Sequence, residues 1–102
     1  MPQYVYLTRP VRPDFAATMT EAERATWQRH WDELLRRHRE GSLILVGRTQ
    51  DEPPIGITVF EAVDDGAAEA TMRSDPFVAE GLVIGELHPY RVALLRGVPA
   101  ED

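Results

Sequence analysis

One segment constrains more than any other what this chain can fold into. Thr20 and Glu23 stand in the T-x-x-E spacing of a capping box, and Gly41 follows a basic turn of Arg36, Arg37, His38 and Arg39. A threonine hydroxyl accepts from the third backbone amide while the glutamate returns to the cap, and glycine supplies the left-handed residue that ends a helix. The basic turn suits the negative end of the helix dipole. The helix between these marks carries Trp27, Trp31, Leu34, Leu35 and His38 within one stripe of roughly 100°. His30 falls about 40° from Leu34, at the edge of that stripe. Arg29, Arg36 and Arg37 point elsewhere, so the spacing predicts a helix packed on a sheet through its two tryptophans.

The flanks supply the sheet. Gln3–Arg9 is aromatic and β-branched and reads as a strand, with Pro10–Met19 as a loop. Ser42–Gly47 is a short apolar run, read as a buried strand, and Arg48–Pro54 is a polar loop. Ile55–Glu61 alternates as a third strand. Asp64 or Asp65 caps a second helix that runs to Arg73, and Ser74-Asp75-Pro76 reopens the chain before another short turn. Leu82–Leu95 is extended and interrupted by Pro89, which fits an edge strand or a bulge. The order βαββαβ predicts a ferredoxin-like α+β fold, an antiparallel sheet with both helices on one face, as a single domain over residues 1–102.

Such a fold leaves one sheet face bare. Tyr4 and Tyr6 on one side of the first strand, and Val5 and Leu7 on the other, put substantial side chains on both faces. A chain of 102 residues without cysteine has no disulfide to compensate for a small core. Pairing of two copies through the sheet face is therefore expected, as a homodimer.

Charge and composition narrow the chemistry. A formal net charge of −6 argues against a nucleic-acid partner. No apolar run approaches the roughly 20 residues of a membrane span, and the N-terminus lacks the pattern of a signal peptide, so a cytoplasmic location is expected. With neither lysine nor cysteine, Schiff-base and thiolate chemistry are unavailable. Isolated glycines form no phosphate-cradling loop, and the three histidines have no metal-ligand spacing, so neither a cofactor nor a metal is expected. The reagents left are histidines, carboxylates, arginines and hydroxyls.

His30 has two readings: a helix-edge residue filling space beside the tryptophans, or a general base facing a cleft. Asp75, followed by Pro76, reads as a helix N-cap, and also as a carboxylate that orients a histidine. The two roles are compatible if one oxygen caps while the other faces the cleft. Arg9 is a candidate clamp for a substrate carboxylate, with a solvated strand-end charge as the bland alternative. Tyr6 is a candidate donor from the sheet. Ser74, beside Asp75, is a candidate binding residue, and neither serine sits in a nucleophile elbow. His38 is expected half-buried at the basic helix end, and His88 on an edge strand beside Glu86.

His30 in the long first helix, Gly41 followed by SLILVG, Ile57–Glu61, Ser74-Asp75-Pro76-Phe77 and Gly81 together resemble YciI-like (YCII-related) domains over nearly the whole chain. The resemblance implies a dimeric α+β barrel, similar in shape to muconolactone isomerases, and a His/Asp pair at His30 and Asp75. It also implies lyase, isomerase or dehydrochlorinase-like chemistry, since one relative is a dehydrochlorinase on a chlorinated hydroxyquinol. The function expected is a cofactor-free acid–base enzyme on a small anionic or phenolic metabolite. Two other readings stand beside it: a non-catalytic dimeric small-molecule-binding module, and a cofactor-free monooxygenase of the same fold.

Overall fold

In the computed structural model, which describes residues 1–100, the capping box forms as spelled. The last two residues of the expected domain lie outside the described ones. Thr20 Oγ1 accepts from the Glu23 amide at 3.1 Å, and Glu23 Oε1 accepts from the Thr20 amide at 2.9 Å. These bonds open α1 (Glu21–Glu40), which Gly41 closes at φ 88°. Glu23 is also gripped by the Arg12 guanidinium at 2.8 and 2.9 Å, which ties the first loop to the helix start. Arg12 first, and then the Thr20 amide, hold the Glu23 carboxyl down to about 2.

Strands β1 (Gln3–Pro10), β2 (Leu43–Arg48), β3 (Gly56–Glu61) and β4 (Val83–Tyr90) form one sheet in the order β2-β3-β1-β4. Every pairing is antiparallel. Helices α2 (Asp65–Arg73) and α3 (Pro76–Ala79) precede the last strand, with Asp64 and Asp75 as their N-caps. The architecture is the βαββαβ α+β fold expected from the element order. Tyr4, Tyr6 and Phe60 of the sheet pack with Ala68 and Met72 of α2 as the core.

Four local expectations need correction. The last strand stops at Tyr90 and does not run to Leu95; Pro89 lies inside it, on an edge where a missing amide is tolerated. Strand β2 is buried only at Leu43: it is the other edge, and Leu45 and Val46 are exposed. His38 is exposed. Most consequentially, α1 does not pack through its tryptophans. Trp27 and Trp31 remain 40% and 41% exposed, and the helix buries Thr26, Leu34 and Arg37 instead. A helical stripe of apolar residues marks the face that meets other side chains or a cleft; periodicity does not say which.

The register prepares the cleft floor. Thr8 pairs with Gly56 on one side and Gly85 on the other, leaving no bulky neighbour beside it. A Cβ at Gly56 would come within 2.2 Å of Thr8 Oγ1, so close approach requires glycine there.

Candidate functional site

Asp75 follows Ser74, the C-cap of α2, and is itself the N-cap of α3. Its backbone is extended (φ −64°, ψ 122°), Pro76 occupies the first position of α3, and Oδ1 accepts from the Phe77 amide at 3.0 Å. That cap fixes the carboxylate beneath α1, where the residue is only 1% exposed. The same Oδ1 meets Nδ1 of His30 at 2.7 Å, and Oδ2 accepts from the Tyr6 hydroxyl at 2.7 Å. Capping and histidine contact thus share one oxygen, and the second is held by the tyrosine. This differs from the expected division of labour, because the carboxylate lies under the helix rather than in the open cleft.

The His30 side chain is 18% exposed and its ring stacks on Phe77, with centroids 4.3 Å apart and planes 9° apart. Phe15 in turn meets Phe77 edge-on at 5.8 Å. With Nδ1 against a carboxylate, the neutral ring carries its proton there, which leaves the Nε2 lone pair unprotonated. Among the described residues, no protein group hydrogen-bonds Nε2.

Burial raises the proton affinity of Asp75. The His30 hydrogen bond and charge, the Tyr6 hydroxyl and the Phe77 amide outweigh it, and hold the carboxyl below its usual range. Tyr6 is pushed in the other direction. Its burial, and then the Asp75 charge and hydrogen bond, raise the phenol far above its usual value, so it remains a donor. The result is an ionised carboxylate with every polar side-chain atom around it satisfied.

A cleft of about 660 Å³ opens between α1, the sheet, the first loop and the β2–β3 connection. His30 lines it, together with Trp27, Trp31, Thr8, Phe15 and Arg48. The two indoles lie parallel, with centroids 6.2 Å apart and planes 2° apart, as an aromatic wall one helical turn long. Among the described residues, no group of three His, Cys, Asp or Glu side chains is arranged to hold a metal ion.

The other expected site residues are placed as follows. Tyr6 lines the cleft, but its hydroxyl is committed to Asp75. Ser74 is turned away: its Oγ accepts from Arg37 at 2.9 Å and donates to the Thr71 carbonyl at 2.9 Å. Arg9 is on the opposite sheet face, 3.5 Å from Glu86, and does not meet His30. Its alternation from Tyr6 explains this, because residues three apart on a strand point to opposite sides. His88 contacts Glu86 at 2.6 Å on that same exposed face. Arg37, expected to lie off the apolar stripe, is buried at the centre of the polar network. Thr8, two residues after Tyr6, lines the cleft as the same alternation implies.

Comparison with known proteins agrees with the fold. A YCII-related domain model matches residues 3–87. Among solved structures, the chain is similar to 5-chloro-2-hydroxyhydroquinone dehydrochlorinase from Burkholderia phenoliruptrix in complex with 2,5-dihydroxybenzoquinone. The TM-score is 0.62 at 15% identity, covering 86% of this chain and 93% of that one. No curated protein matches the sequence. At that identity the structural likeness speaks for the fold, whereas the domain match covers most of the chain: this protein belongs to the YCII-related domain family, with the α+β fold of YciI-like dimeric barrels.

Proposed function

We propose that this protein is a cofactor-free acid–base enzyme acting on a small planar phenolic or quinonoid metabolite, by elimination or isomerisation. The single observation that carries the reading is the His30–Asp75 contact at 2.7 Å, in a ring whose other nitrogen has no protein partner among the described residues and which borders an aromatic cleft. Nε2 takes a proton from the substrate, and Asp75 stabilises the imidazolium that forms. In an isomerisation the imidazolium returns that proton to another atom of the substrate. In a dehydrochlorination the ring carbon that bears chlorine first takes a proton as a hydroxyl proton is lost, giving the keto tautomer. Loss of a second hydroxyl proton to Nε2 then drives electrons through the ring, chloride leaves with the electron pair of the C–Cl bond, and the imidazolium passes its proton to water. Neither route consumes an oxidant or reductant. The relative whose structure holds 2,5-dihydroxybenzoquinone supports this choice of substrate class.

Trp27 and Trp31 are the only tryptophans, and both line the cleft, so intrinsic fluorescence reports on it directly. Titration with 2,5-dihydroxybenzoquinone is expected to quench that fluorescence saturably. Chlorinated hydroxyquinols supplied as substrates are expected to release chloride. Saturable binding with no turnover across such a panel would make the protein a binding module instead.

Two copies are inferred to pair through the sheet face that the helices leave open. On that face Val5 and Val59 are buried within the single chain, while the half-buried Leu7 and Ile57 and the exposed Leu45 and Ile84 remain as its apolar surface. Contiguous apolar surface of this kind is costly to leave in water. Sedimentation at micromolar concentration is expected to show a dimer that Ile84→Glu weakens; a wild-type monomer would contradict the pairing.

A further inference from the structure

We propose that Arg37 is a positioning residue for the His30–Asp75 pair, acting through Tyr6 and Ser74 and touching no substrate. The proposal rests on the reading of that pair as the reacting centre. Arg37 is 4% exposed, a burial that charged side chains rarely reach unless every donor is engaged. Its Nη1 donates to the Tyr6 hydroxyl at 3.3 Å, and its Nη2 donates to the Thr71 carbonyl and to Ser74 Oγ, each at 2.9 Å. Its Nε donates to Glu33 at 3.1 Å, one turn back on α1.

Two consequences follow from this geometry. The first is mechanical. His30 and Arg37 are seven residues apart, which at about 100° per residue returns to nearly the same face of the helix. One face of α1 therefore grips the Ser74–Asp75 dipeptide twice, His30 on the carboxylate and Arg37 on the residue before it. The grip sets how far Asp75 stands from the helix that carries the histidine.

The second consequence is electrostatic. By donating to the Tyr6 oxygen, Arg37 polarises the O–H that Tyr6 gives to Asp75. The directed series from Arg37 through Tyr6 to Asp75 keeps the carboxylate ionised and aimed at Nδ1. The other charged groups near Arg37 do not replace it. Glu33 is shared with Arg36, and Glu40 is held by Arg36. Glu61 and the N-terminal amine border the shallow depression on the outer side, 3.9 Å from each other. A core-filling role alone would be met by a methionine of similar length, without the cost of a buried charge.

The test reads the proton on His30 Nδ1 by NMR in the full chain, where a bond to an ionised carboxylate moves it far downfield. Arg37→Lys, Arg37→Met and Tyr6→Phe are compared with wild type, with thermal unfolding as the control for folding. Tyr6→Phe keeps the core shape, and Arg37→Lys keeps the charge, so these two carry the test if Arg37→Met does not fold. The expected result is a displaced resonance in Tyr6→Phe, a smaller displacement in Arg37→Lys, and the largest in Arg37→Met. In the Tyr6→Phe background, Arg37→Lys is expected to add less than it does alone, because the two act in one series. Folded Arg37→Lys and Tyr6→Phe proteins with an unmoved resonance would overturn the positioning role. Absence of the downfield proton from wild type would instead count against the His30–Asp75 pair itself.

Discussion

Asp75→Ala is expected to be the most damaging single substitution in the chain, at about 3–5 kcal/mol of stability, because it orphans several buried donors, each at a cost of about 1–3 kcal/mol. The Tyr6 hydroxyl and the His30 Nδ1–H lose their acceptor, and the Phe77 amide loses its cap. Such a loss is a large share of the roughly 5–15 kcal/mol that holds a typical domain together. Chemical denaturation measures it; a change within about 0.5 kcal/mol, as surface substitutions give, would show that the network carries no load. Asp75→Asn keeps the shape and separates charge from volume.

The same carboxyl sets part of the acid limb of stability. Its folded pKa lies below its ordinary value of 3.8, so as pH falls the unfolded chain takes the proton first. Its contribution is present above the ordinary value and lost as pH falls through the folded one. Glu23, held at about 2 against an ordinary 4.5, loses its contribution over that interval. Wild-type unfolding is therefore expected to become steeply easier below about pH 4, and Asp75→Asn is expected to flatten part of that slope.

His30→Ala is expected to lower turnover by about 10²–10⁴, the range that positioned acid–base groups supply. Binding of 2,5-dihydroxybenzoquinone, followed by tryptophan quenching, should change far less, because Trp27 and Trp31 remain in place. The vacated space lies on an open cleft, so added imidazole is expected to restore part of the rate. Unchanged turnover in His30→Ala would remove the histidine from the mechanism.

Much of the fold was legible from local chemistry. Thr20, Glu23 and Gly41 bounded α1, the pair Asp64 and Asp65 narrowed the start of α2 to two residues, of which Asp64 is the cap, and the Asp75–Pro76 dipeptide marked the start of α3, because capping needs specific side chains at specific offsets. The pair His30–Asp75 was reachable through family resemblance, although its residues lie 45 positions apart and no local pattern joins them. What escaped was the use of each face. Trp27 and Trp31 read as core because a cleft wall and a core face have the same period. Arg37 was set off the apolar stripe, and hydropathy, which registers its charge, is blind to the Tyr6 hydroxyl, the Thr71 carbonyl and the Ser74 hydroxyl that bury it. Arg9 was a different kind of miss: its odd separation from Tyr6 already placed it across the sheet.

The most direct measurement is the nitrogen-15 spectrum of the His30 ring, with and without 2,5-dihydroxybenzoquinone. A base held by Asp75 carries the proton of its neutral form on Nδ1 and presents Nε2 to the cleft. The expected result is that tautomer in the free protein, with the Nε2 signal moving on addition of the quinone. A neutral ring protonated on Nε2, or an Nε2 signal indifferent to a ligand that quenches the tryptophans, would contradict the assignment of His30 as the base.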